Sequence, residues 1–133
     1  REAPWVRHDV SVPVSRIAEF IERGSQALAA RYPGARIVAF GHIGDGNIHF
    51  NVTAPAGADP EPFVARQHEI YELVHDLVMS LGGSFSAEHG IGLLKVPELA
   101  RYKSAVELDL MRRIKAALDP AGILNPGKVL PPP

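Results

Sequence analysis

The sequence predicts an α+β fold built on an antiparallel sheet, and three observations point to it. Segments that alternate with period 2 and segments with helical periodicity follow one another as β-α-β-β-α-β. An Asp45-Gly46 dipeptide joins the two middle strands, and it is the strongest short-range hairpin signal because a type I′ turn needs positive φ at both central positions. A further helix and a proline-rich tail close the chain. The order is the split βαβ arrangement of a ferredoxin-like sheet, with the two helices on one face.

The elements follow in order. Trp5 to Val12 alternates, with Val6, Val10 and Val12 on one side and Arg7, Asp9 and Ser11 on the other, until Pro13 stops the strand. Ile17, Phe20, Ile21, Ala27 and Leu28 recur at helical spacing, so a helix is expected from Val14 to Arg31, ended by Tyr32-Pro33-Gly34. Arg36 to His42 and Asn47 to Thr53 are the hairpin strands. Asp59 is placed as an N-cap with Pro60 at the first helical position. The helix that follows carries a stripe of Phe63, Gln67, Ile70, Val74, Leu77 and Leu81, up to Gly82-Gly83. Ser84 to Ala87 is expected as a fourth strand. Ser104 and Glu107 form a capping box ahead of a last helix through Leu110, Met111, Ile114 and Leu118.

Composition narrows the function classes. The 133 residues, 46% of them hydrophobic, suffice for one domain with an ordinary core. Fourteen basic against fifteen acidic residues give a formal charge of −1, which argues against nucleic acid as a partner. No apolar run approaches the roughly 20 residues of a membrane helix. The absence of cysteine excludes a disulfide scaffold, thiolate catalysis, an iron–sulfur cluster and Cys-ligated zinc. The start at Arg1 shows neither an initiator Met nor a signal-peptide pattern, so a piece of a longer protein is expected.

Histidine placement carries the chemistry. A turn centred on Asp45-Gly46 sets His42 opposite His49, and directly opposed residues share a face of the sheet with Cβ atoms about 4.5–5.5 Å apart. Two such imidazoles can converge on one metal ion, or form a plain hydrogen-bonded couple. Asn51 shares that face, and so do Arg7, Val38 and Phe40. Two apolar groups beside a polar cluster suggest that another domain or subunit covers the sheet. Glu88, among glycines and next to His89, is the candidate third ligand; a solvated turn acid is the competing reading. In the ferredoxin-like strand order, strand one separates strand four from strand three, so Glu88 reaches the His pair only if its loop curls back over the sheet. His68 and His75 are expected to be solvated on the helix flanks, and His8 to sit at the edge of the core. No Gly-x-Gly-x-x-Gly, P-loop or His-Glu-x-x-His pattern occurs.

Three stretches together resemble a known family: Gly41-His42-Ile43-Gly44-Asp45-Gly46-Asn47-Ile48-His49-Phe50-Asn51-Val52, Ala87-Glu88-His89-Gly90-Ile91-Gly92, and Leu118-Asp119-Pro120-Ala121-Gly122-Ile123-Leu124-Asn125-Pro126-Gly127-Lys128. They look like the C-terminal domain of FAD-linked oxidases, the flavoprotein dehydrogenases for D-lactate, D-2-hydroxyglutarate and glycolate. The resemblance implies that His42, His49 and Glu88 fall on positions that ligate a divalent metal, zinc or manganese. It puts Asn51 on a substrate-contacting position, His89 on the catalytic base and Asn125 in a motif that passes close to the flavin. Arg7 stands where the family's Lys-x-Asp-x-Ser-x-Pro stretch has its lysine, and the two cations are not interchangeable at a tight carboxylate site.

The activity so implied is oxidation of a D-2-hydroxy acid to the 2-oxo acid. His89 takes the hydroxyl proton, hydride passes to FAD, and an N-terminal domain outside these residues holds the FAD. The piece alone is expected to be inactive. The implied setting is cytoplasmic, or peripheral to the inner membrane through an electron-transfer partner; the outward Val38 and Phe40 in turn suggest self-association into a homodimer through the open sheet face. Two other classes use the same residues: a metal-dependent hydrolase on His42, His49 and Glu88, and a non-catalytic binding module.

Overall fold

A computed structural model describes residues 4–132 of the chain. They form two compact units, one ending at His89 and one beginning at Gly90.

The first unit holds β1 (Trp5–Ser11), α1 (Ile17–Arg31), β2 (Arg36–His42), β3 (Asn47–Thr53), a short α2 (Glu61–Val64) and α3 (Gln67–Ser80). The sheet is antiparallel in the order β1-β3-β2. Its helix-side face is the one the alternation marked out. Val6, Val10, Ile48, Phe50 and Val52 are buried there against Phe20 and Leu28 of α1 and Ile70, Val74 and Val78 of α3. Each such side chain contributes about 1.5–3 kcal/mol through removal from water. His8 joins them, 2% exposed, its Nδ1–H donating to the Phe50 carbonyl at 2.7 Å.

Four expectations are corrected. The hairpin does not turn on two residues: Ile43–Asp45 form a 3-10 turn and Gly46 is left-handed, so His42 pairs with Asn47 and Phe40 with His49. This register differs by two residues from the expected one. Because strand side chains alternate with period 2, His42 and His49 still share a face, now as diagonal rather than direct neighbours. The fourth strand shrinks to a single bridge, Ser11 with Ser84. Beyond it the Ala87 N–H goes to the Asp9 carbonyl and side chain, and the Ser86 N–H to the Ser84 hydroxyl; such local competition for donors ends a ladder.

The second helix is two helices. Asp59 Oδ1 accepts the Glu61 N–H at 3.0 Å as expected, but at the joint the Arg66 N–H bonds to Phe63 three residues back. His75 is not solvated. It is 3% exposed, its ring 5.6 Å from His8 and 5.9 Å from Phe85, because α3 lies over β1.

The second unit contains α4 (Val96–Tyr102), which no periodicity in the sequence announced, and α5 (Ala105–Leu118). The capping box is formed: Ser104 Oγ accepts the Glu107 N–H and Glu107 Oε2 accepts the Ser104 N–H. Asp119 Oδ1 and Oδ2 then accept the Ile123 and Leu124 amides, which turns the tail.

Gly46 sits at φ 72°, and a Cβ there would lie 2.1 Å from the Val12 carbonyl oxygen. A left-handed non-glycine residue alone costs of order 1–3 kcal/mol, so Gly46→Ala is expected to destabilise the first unit by at least that much, read from the denaturation midpoint. At the other end of the chain, the Lys103 ammonium first, and the Ser104 amide next, hold the Glu107 carboxyl down to about 2 from its ordinary 4.5. A depressed pKa stabilises fully above the ordinary value and loses its effect as pH falls toward the folded one. In the folded protein the Ser104 amide shift should therefore stay constant down to about pH 3 and move with a midpoint near about 2, a change that Glu107→Gln should abolish.

Candidate metal centre

The face of the sheet away from the helices is built in three cross-strand rows. Arg7, Asn51 and Val38 form one; Asp9, His49 and Phe40 the next; Ser11, Asn47 and His42 the last. Val38 and Phe40 are 45% and 54% exposed, as expected from their parity.

The segment after the Ser11–Ser84 bridge curls over the middle row. Asp9 Oδ2 accepts three successive backbone amides, from Ala87 at 3.2 Å, Glu88 at 3.0 Å and His89 at 2.7 Å. Successive N–H groups converging on one anion form a nest. The Ser86 hydroxyl donates to the His89 carbonyl and tightens the same turn. Under this cover Asp9 is only 3% exposed although it sits on the open face.

The turn brings Glu88 to both histidines. Its Oε1 lies 2.9 Å from His42 Nδ1 and its Oε2 3.4 Å from His49 Nε2. His49 Nδ1 lies 3.8 Å from Asp9 Oδ1, and its ring is 5.1 Å from Phe40 and 6.0 Å from His89. His89 Nδ1 lies 3.8 Å from Asp9 Oδ2. The tightest cluster with metal-ligand chemistry among the described residues is Asp9, His49 and Glu88, with donor atoms within 4.8 Å of one another. His42 touches the cluster through Glu88, and its Nδ1 also faces Asn47 Nδ2 at 3.3 Å. Imidazole nitrogen and carboxylate oxygen suit zinc, manganese and related divalent ions, so the donor set fits such an ion.

The expected ligands His42, His49 and Glu88 thus lie together, with His89 beside them. Arg7 and Asn51 are directly opposed two residues along the same face. Asn125 belongs to the other unit, in left-handed backbone at φ 47°, with Lys128 Nζ donating to its Oδ1 at 3.1 Å. Sequence reasoning passed over Asp9. The signals for it were its parity with Arg7 and its place as the acid of the stretch in which Arg7 replaces lysine.

Residues 2–129 match the family described as FAD linked oxidases, C-terminal domain, and the chain belongs to that family. It is 44% identical over 129 residues to a D-2-hydroxyglutarate dehydrogenase of Xanthomonas citri pv. viticola, covering 97% of this chain and 27% of that one. It is 38% identical over 123 residues to a D-2-hydroxyglutarate dehydrogenase of Stutzerimonas stutzeri, covering 92% and 26%. A D-lactate dehydrogenase of Archaeoglobus fulgidus is 40% identical over 122 residues, covering 92% and 26%. The chain therefore spans about a quarter of the length of the curated relatives it matches. Among the described residues no helix is long and apolar enough to cross a membrane.

Proposed function

We propose that this chain is the substrate-side, C-terminal domain of an FAD-dependent enzyme that oxidises a D-2-hydroxy acid to the 2-oxo acid. The observation that carries the reading is the Glu88 carboxylate held between His42 and His49 on the open sheet face, with His89 adjacent. Family membership favours it over the hydrolase and binding-module readings.

His42, His49 and Glu88 are the residues that would hold the divalent ion, zinc or manganese. An ion held there would supply Lewis acidity that makes the substrate's hydroxyl more acidic. FAD, held mainly by an N-terminal domain of the parent protein, supplies the hydride acceptor. The remaining work falls to this chain's side chains. His89 takes the hydroxyl proton at Nε2, since its Nδ1 is turned toward Asp9. Such general-base assistance is worth typically about 10²–10⁴-fold. Asn51 orients the substrate from the neighbouring row, and Arg7 opposite it meets the far carboxylate of a diacid substrate. Asn125 is assigned to the flavin on family resemblance alone.

The exposed Val38 and Phe40 are the surface that the flavin-bearing part of the parent covers; a homodimer through the same face is the competing arrangement. The protein works in the cytoplasm, at the inner membrane where an electron acceptor requires it, and this chain by itself is inactive.

Metal analysis of the dialysed full-length protein tests the centre: about one ion per chain is expected, and His49→Ala should lose it. Absence of any ion in the wild type would overturn the metal centre. His89→Ala should lower turnover by about 10²–10⁴-fold while leaving the metal content unchanged. Full activity in that variant would remove His89 from the mechanism.

A further inference from the structure

We propose that Asp9 is the positioning residue of this centre: its buried carboxylate holds the Ala87–His89 segment closed before any ion arrives, and so sets the metal affinity. The inference rests on reading His42, His49 and Glu88 as a metal centre.

Asp9 and Glu88 are far apart in sequence, and the Ser11–Ser84 bridge with the buried Phe85 brings the chain back beside β1 just ahead of Glu88. The fourth strand that might have carried it is a single bridge at Ser84. Past that point the backbone is gathered by one oxygen atom, Asp9 Oδ2, with the amides of Ala87, Glu88 and His89 around it at 3.2, 3.0 and 2.7 Å, and by the Asp9 carbonyl, which takes the Ala87 amide as well. Hydrogen bonds to a carboxylate are shorter and stronger than neutral ones, and at 3% exposure water does not compete for them.

The same carboxylate faces both imidazoles from behind. Asp9 Oδ1 is 3.8 Å from His49 Nδ1 and Oδ2 is 3.8 Å from His89 Nδ1. A negative charge on the Nδ1 side favours the proton there and leaves Nε2 as the free lone pair. On His49, Nε2 is the nitrogen that meets Glu88; on His89 it is the atom assigned to the substrate proton. Carboxylates placed behind ligating histidines usually change metal affinity by about 10–100-fold. Asp9 also lies within 4.8 Å of the His49 and Glu88 donor atoms and could serve as a direct ligand. However, Oδ2 is already committed to three amides and Oδ1 lies toward His49 Nδ1 rather than the Nε2 that meets Glu88, which assigns Asp9 to holding the ligands rather than the ion.

The experiment uses the full-length protein stripped of metal by a chelator. Hydrogen exchange of the 87–89 segment is followed with and without zinc, and zinc affinity is measured by chelator competition for wild type, Asp9→Asn and His49→Ala. The segment should be protected in the metal-free wild type and change little when zinc is added. Asp9→Asn should open it and weaken zinc binding by about 10–100-fold. Unchanged zinc affinity in Asp9→Asn overturns the inference alone, and so does weakened affinity without faster exchange, which is the mark of a direct ligand. If Asp9→Asn fails to fold, the wild type decides: a segment that is open without metal and closes only on zinc overturns the inference. A wild type that binds no zinc overturns the metal reading together with the inference.

Discussion

A buried carboxylate is the constraint on which the functional half of this fold depends. Moving an ionised side chain out of water carries a penalty of several kcal/mol unless hydrogen bonds replace the lost hydration. Asp9, 3% exposed on the sheet face that the helices leave uncovered, meets that demand with backbone amides from the far end of the first unit. The dependence runs in both directions. The segment needs an anion to gather its amides, and the carboxylate needs the segment to cover it. Either half alone leaves polar groups buried without partners, so the two form together.

The division of labour across the sheet follows from period-2 geometry. One face supplies Val6, Val10, Ile48, Phe50 and Val52 to the core, and the other presents Arg7, Asp9, His42, His49 and Asn51. A strand cannot move one of these residues to the other face without moving them all. The hydrophobic core thereby fixes where the polar residues point. The stability of the fold and the aim of the site are set by the same register.

This is also why so much was legible in the sequence. Alternation alone identified which residues share a face, and a two-residue error in the hairpin register left every one of those assignments intact. Alternation could not reveal pairing, which depends on the turn: a 3-10 turn closed by left-handed Gly46 replaced the two-residue turn that Asp45-Gly46 suggests. The role of Asp9 is hidden for a related reason. Its parity was readable, but its partners are backbone amides almost eighty positions away, and amides leave no mark in a sequence. His75 departs from expectation because a flank position on a helix is solvated or buried according to what the helix covers, and here α3 covers His8.

The early end of extended structure after the Ser84 bridge suits the residues that follow. Were the chain to run on extended through residues 88 and 89, successive side chains would point to opposite faces, and Glu88 and His89 could not serve one site. Wrapped around Asp9, the same two neighbours both turn toward His49: Glu88 Oε2 at 3.4 Å from its Nε2, and the His89 ring centroid 6.0 Å from its own. A Glu-His dipeptide acting as ligand and base therefore needs a backbone bent at that point, and an anion that collects consecutive amides is a direct way to bend it. The strand gives up its ladder hydrogen bonds to the Asp9 carboxylate, and the exchange puts two adjacent residues on one centre.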